Sequence, residues 1–239
     1  MNFSKEQLQT QLDLNQLGPI QGEANIPNPG FFLSGFEHPY MPIVRAQGSQ
    51  FRWESATWGL VPSWAASAEK ARELAVMGLN ARSETAHEKP LFRQSWQHQP
   101  CLVPMKGFFE WKQEGTRKLP HFIQAQEGLL LAAGLCSSWV DPESGEEMQT
   151  YSILTTEANA LMAEIHNVKR RMPVLLEGPQ RAAEWMQGSA EERRRLCLPC
   201  RNDYLKAHRV APFVSKPGSG RNRVECQAPF SEASQASLF

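Results

Sequence analysis

Residues 129–154 read LLLAAGLCSSWVDPESGEEMQTYSIL. An apolar run of strand length, residues 129–140, meets the cluster DPESGEE, and a second strand-like run returns over 148–154. Asp and Ser turn the chain by bonding their own backbone, Pro presets φ, and Gly accepts positive φ. The two runs are therefore expected to pair as an antiparallel hairpin. Once that hairpin is accepted, the other apolar runs read most simply as further strands of the same kind of sheet.

Working outward, residues 41–44, 52–60, 101–103, 108–112 and 121–124 are apolar or alternating and are expected to be strands. Helices are expected from about Ser63, over 157–165 with Thr155 or Thr156 as cap, and over 179–186. Ser189 and Glu192 form a capping-box pattern that opens another. Ser4 to Gln7 is a similar pattern, followed by Leu8, Leu12 and Leu17, which reads as a short amphipathic helix. Residues 18–35, rich in Gly, Pro and Asn, read as an irregular loop. Strands with helices interspersed and at the ends predict an α+β fold, mainly antiparallel, and not a doubly wound sheet. No clean linker divides the chain, so one domain over residues 1–239 is expected, with a mobile tail from about 217.

The totals exclude more than they assign. The 239 residues suffice for a real core, and the formal net charge of +0 names no partner. A nucleic-acid partner would have to be met by locally clustered base. No apolar run reaches the length of a membrane span, and the polar first residues do not read as a signal peptide. The cysteines are Cys101, Cys136, Cys197, Cys200 and Cys226, an odd count without regular spacing. That pattern suits reduced thiols in the cytoplasm. A lone CxxC at Cys197 and Cys200 lacks the second pair a zinc site needs, so no metal and no cofactor is expected.

Four stretches carry chemistry. In CLVPMKGFFEWK (101–112), Glu110 stands among aromatic residues. Either it faces solvent from an alternating strand, or it lies against apolar walls that raise its pKa and suit it to acid/base work. LNARSETAHEKPLF (79–92) offers the amide of Asn80 and the planar fork of Arg82, suited to phosphate, or it is simply a polar loop. IHNVKRRMPVLL (165–176) places His166 after a helix and before Lys169, Arg170 and Arg171. These serve a phosphate-bearing ligand or complement the helix dipole. TWGLVPSW (57–64) holds two tryptophans, buried ones or platforms for unpaired bases.

The order of these stretches, ending in YSILTTEANALMAEIHNVKRRMPVLL, resembles the SRAP family of abasic-site-processing proteins over residues 58–176. SGFEHPYMPIV (34–44) and AHRVAPFVSK (207–216) are similar to its early and late segments. The resemblance implies a barrel-like β core that binds single-stranded DNA containing abasic sites; a cytoplasmic monomer is expected. It implies that Asn80, Glu110 and His166 are catalytic, and that Trp64, Arg82, Thr155 and Arg171 contact phosphates and flanking bases. It also implies a covalent crosslink, made by an N-terminal cysteine that self-processing exposes. Family members begin Met-Cys-Gly-Arg, whereas this sequence begins Met1-Asn2-Phe3-Ser4. The retention of Asn80, Glu110 and His166 leads to the expectation that the true start lies upstream and supplies the cysteine. The alternative is a protein that has lost it and binds abasic DNA without a stable crosslink.

Overall fold

The computed structural model describes residues 20–21, 30–48, 50–216 and 218–230. The helix expected over residues 4–17 lies outside them, as does most of the loop expected over 18–35. In chain order the elements are β1 (Ile20–Gln21), β2 (Tyr40–Gln47), β3 (Gln50–Trp58), α1 (Ala68–Met77), β4 (Asn80–Arg82), α2 (Arg93–His98), β5 (Pro100–Met105), β6 (Gly107–Glu114), β7 (Arg117–Ala125), β8 (Leu130–Val140), β9 (Glu147–Glu157), α3 (Ala160–Ile165), β10 (Arg171–Pro173), α4 (Pro179–Gln187), α5 (Ala190–Leu196) and β11 (Leu205–Arg209).

The expected hairpin is formed by β8 and β9, in register from Val140 opposite Glu147 to Gly134 opposite Ile153. Its turn is closed by the Asp141 N–H on the Glu146 carbonyl at 2.9 Å, with Gly145 at φ +73°. From this hairpin the sheet runs β9–β8–β5–β2–β3, all antiparallel. It then returns on itself, because β3 also pairs with β9, in parallel, through Thr57 with Thr150 and Trp58 with Tyr151. Five strands thus make a closed, barrel-like ring, which removes two sheet edges. The short β4 and β10 attach to the far end of β9, and a second antiparallel sheet, β11–β7–β6, stands beside the ring. The protein is α+β, as expected.

Strand β8 is apolar on both faces because both are covered. Leu131, Ala133 and Leu135 pack with Trp96, Trp185 and Leu196 from α2, α4 and α5. Leu130, Ala132 and Cys136 pack with Ile123 of β7 and with Met162 and Ile165 of α3.

Two local expectations are corrected. The helix expected from Ser63 starts at Ala68, because the Ser67 hydroxyl accepts the Lys70 N–H at 3.1 Å and caps it there. Thr155 and Thr156 cap nothing. They lie in β9, paired with Pro173 and Met172, and the cap of α3 is Asn159, whose Oδ1 accepts the Met162 N–H at 2.9 Å. The Ser189–Glu192 capping box forms as read. Cys197 and Cys200 pack beside β9 and α3, and burial pushes both thiols up to about 12. Among the described residues, no group of three or more His, Cys, Asp or Glu side chains could hold a metal. Within the glycine-rich stretch from 217, Arg221, Asn222, Cys226 and Gln227 contact Phe31 or Phe32, and Cys226 is buried.

Candidate active site

Strand β6 begins at a glycine for a steric reason. A Cβ on Gly107 would stand 2.3 Å from the Ile123 carbonyl oxygen and 2.6 Å from the Phe122 ring. Only glycine lets β6 lie so close on β7. Beyond it, side chains alternate. Phe109 and Trp111 take one face, where Phe109 packs on Phe32 and Phe122 at 4.9 and 5.1 Å between ring centroids. The Trp111 indole N–H donates to the Ser215 hydroxyl at 2.8 Å.

Phe108, Glu110 and Lys112 take the other face, and α3 lies across it. Lys112 Nζ reaches Glu164 at 2.9 Å. Asn167, just past the helix, accepts the Gln113 N–H at 3.0 Å and donates to the Gln113 carbonyl at 2.9 Å. This two-bond clamp delivers His166, the residue between α3 and Asn167, to Glu110. The separation is 3.5 Å from His166 Nδ1 to Glu110 Oε2.

The two side chains differ in their surroundings. His166 Nδ1 is also 3.0 Å from the Arg171 carbonyl oxygen. A carbonyl only accepts, so Nδ1 carries a proton. Glu110 Oε1 accepts the Trp111 N–H at 3.2 Å. Burial pushes the Glu110 carboxyl up, and the opposing pulls of His166, the Trp111 amide and Lys169 do not cancel it. A carboxyl biased toward its acid form beside an imidazole brings together two groups able to give or take a proton.

Asn80 and Arg82 come from β4, which pairs in parallel with β9 so that Arg82 sits opposite Thr155. Ala81 between them is fully buried, which turns the flanking side chains to the same exposed side. The Thr155 hydroxyl donates to the Ala81 carbonyl at 3.3 Å and ties the two strands. Arg171 donates to the Thr155 carbonyl at 2.7 Å and makes a fork on Glu84, at 2.5 and 2.8 Å. That fork holds the Glu84 carboxyl below its usual range.

A cleft of about 910 Å³ joins these groups. Asn80, Arg82, Glu110, Thr155, His166 and Arg171 all line it; Trp64 does not. Trp64 stands 50% exposed on the turn after β3. The tryptophan of that stretch on the cleft wall is Trp58, whose indole N–H donates to the Leu79 carbonyl at 2.8 Å. The clustered base is also redistributed. Lys106, Lys169 and Arg221 join Arg82 and Arg171 along the cleft, while Lys112 and Arg170 do not line it. Glu84, Lys106 and Arg221 were not singled out from sequence, and no local motif marks them. None of the five cysteines lines the cleft.

The family model described as SOS response associated peptidase (SRAP) matches residues 5–217. Abasic site processing protein YoaM of Bacillus subtilis is 35% identical over 200 residues, 78% of this chain and 84% of that protein. YoqW, of the same name and organism, is 33% identical over 200 residues, 78% of this chain and 85% of its own length. The vertebrate relative HMCES of Xenopus tropicalis is 28% identical, and the match spans only 55% of it. A solved protein structure from Bacteroides thetaiotaomicron superposes with a TM-score of 0.77 at 33% identity, covering 83% of this chain and 84% of that one.

Proposed function

The chain belongs to the SOS response associated peptidase (SRAP) family, and from that premise we propose that it processes abasic sites in single-stranded DNA through Glu110, His166 and Asn80. The observation that carries this reading is the Glu110–His166 pair, 3.5 Å apart in a cleft also lined by Arg82, Lys106, Lys169 and Arg221. Relatives at 33% and 35% identity carry the name abasic site processing protein. The cations receive the phosphates on either side of the lesion, and the missing base lets the bare sugar lie against the acid and the imidazole.

The chemistry follows from the pair. An abasic deoxyribose is mostly a closed hemiacetal. Opening it takes a proton off the C1′ hydroxyl and puts one on the ring oxygen as the C1′–O4′ bond breaks. Glu110 and His166 perform the two transfers. The aldehyde then condenses with a primary amine, losing water to an imine. An α-amine serves well, since its pKa of about 8 leaves a nucleophilic fraction at neutrality. If that amine belongs to a cysteine, its thiol adds to the imine and closes a stable thiazolidine. The crosslinking form of this reading therefore needs a cysteine at the processed N-terminus.

A second reading is favoured by one observation: the five cysteines of residues 1–239 all lie off the cleft. With those residues alone, the protein shields abasic DNA without a stable crosslink. Intact mass of the protein from its own cells, before and after incubation with an abasic oligonucleotide, separates the two. A processed cysteine at the N-terminus and a heat-stable adduct support crosslinking. A start at Met1 and no adduct, with retained binding, support shielding. Binding to neither abasic nor intact single strands overturns both. Affinity is expected to fall steeply with salt, as phosphate contacts require.

A further inference from the structure

We propose that Phe36 is a stacking platform for an unpaired nucleobase beside the abasic position, presented by a clamp that the chain's own residues 221–227 form. The inference rests on the single-stranded DNA reading above. Phe36 lines the cleft and is 77% exposed. An aromatic ring left so open on a mobile loop would mean little. This one is on a fastened turn.

The turn is a single 3-10 loop over Gly35–Glu37. The Glu37 N–H donates to Ser34 and the His38 N–H to Gly35, both at 3.0 Å. His38 takes φ +46° and sets its ring Nδ1 2.8 Å from the Trp58 carbonyl oxygen. Gly35 sits so close to the wall that a Cβ there would be 3.1 Å from Leu79. The turn is thus pinned to the same Trp58–Leu79 wall that leads into Asn80.

The second fastening comes from the C-terminal part of the chain. Asn222 Oδ1 accepts the N–H groups of Phe31 and Phe32 at 2.7 and 3.1 Å. Gln227 donates to the Phe31 carbonyl at 2.9 Å. The Arg221 guanidinium lies 4.4 Å from the centre of the Phe32 ring and reaches Glu37, the neighbour of Phe36, at 3.3 Å. The family match ends at residue 217, so this clamp lies beyond the matched stretch.

A planar apolar ring on a fixed turn, in one cleft with Arg82, Lys106 and Lys169, matches a chain that alternates flat bases with phosphates. An apolar peptide or an acyl chain would leave those cations without partners. Because the turn is already ordered, stacking forfeits little conformational entropy on binding.

The test is fluorescence anisotropy with two short single-stranded oligonucleotides, one intact and one carrying a tetrahydrofuran abasic analogue. Phe36→Ala and Phe36→Leu are each expected to weaken binding to both by about ten-fold, within the range reported by alanine substitution at stacked bases. Phe36→Trp is expected to retain it, since planarity and not apolarity is what counts. Asn222→Ala is expected to weaken wild-type binding and to add nothing in a Phe36→Ala background, because it acts only by positioning the ring. Circular dichroism melts confirm that the exposed-site variants fold. Binding by Phe36→Ala or Phe36→Leu equal to wild type overturns the platform and leaves the proposed function standing. Additive losses from Asn222→Ala overturn the clamp. A wild-type protein that binds neither oligonucleotide overturns the DNA reading itself.

Discussion

Two ionisable side chains are held in the body of this protein, and their surroundings treat them in opposite ways. Arg193 on α5 is 3% exposed. Its guanidinium donates to the carbonyls of Trp96 and Gln97 at 2.7 and 2.9 Å, and to Gly188 at 2.5 Å. Trp96 and Gln97 lie in the last turn of α2, where carbonyls lack helical partners and favour a cation. Glu110 receives one backbone N–H at 3.2 Å, has His166 at 3.5 Å, and keeps a quarter of its side chain open to the cleft. A buried charge whose partners are rigid carbonyls fastens structure. One that is partly satisfied, partly wet and next to a second titratable group is free to exchange a proton.

That contrast can be broken in four ways, taken from the largest expected effect down. Arg193→Ala strips three carbonyls of their donor and leaves a void beside Trp96. It is expected to cost about 3–4 kcal/mol in urea unfolding, while the variant binds abasic DNA normally wherever it is folded. Loss of DNA binding by a folded Arg193→Ala protein would erase the distinction between the two corners. Gly107→Ala forces β6 off β7, and about 2 kcal/mol or more is expected to go with it. Because β6 carries Glu110, this variant is also expected to lose activity faster than it loses stability.

Glu84→Gln is smaller, about 1 kcal/mol at neutral pH, since the carboxylate is nearly half exposed and solvent screens its pairing with Arg171. The Glu84 carboxyl is held below its usual range, chiefly by the Arg171 hydrogen bonds. Its contribution is therefore present above the unfolded carboxyl pKa and is lost as pH falls through the depressed folded one. Melting curves of the two proteins should converge in acid. Glu110→Gln is expected to have the opposite sign. Burial raises the Glu110 carboxyl, so the stability it contributes is present below the unfolded pKa and lost as pH rises through the raised folded pKa. The variant should melt slightly above wild type at pH 8, with the gap closing near pH 4, and should fail to process abasic DNA. A lower melting temperature at pH 8 would place Glu110 among the fastening charges, with Arg193.

Much of the site was legible in the chain before any fold was known. Glu110 stood out as a carboxylate in an apolar strand that could face solvent or an apolar wall, and the cover given by α3 decides for burial, which raises the carboxyl. His166 was marked by its place after a helix, and it takes the C-cap position of α3. Elsewhere a local signal met a long-range contact that the sequence does not show. Thr155 and Thr156 look like helix caps, but β10 arrives from residues 171–173 and keeps them in the sheet. Arg171 looks like a free phosphate ligand, but Glu84 engages it with a fork. Trp64 and Trp58 are alike in sequence, and only the course of the chain puts Trp58 on the cleft wall and Trp64 off it.

The sequence by itself determined what depends on near neighbours. The turn at Asp141 to Glu146, the Ser189–Glu192 cap and the apolar runs that became strands each arise within a few residues, where propensity and periodicity act. Tertiary structure alone decided the closure of the ring through Thr57 and Thr150, the Arg171–Glu84 pair across 87 positions, and the hold of Asn222 on Phe31 across 191. These contacts depend on distance through space, and that distance is set by how the whole sheet curls and closes.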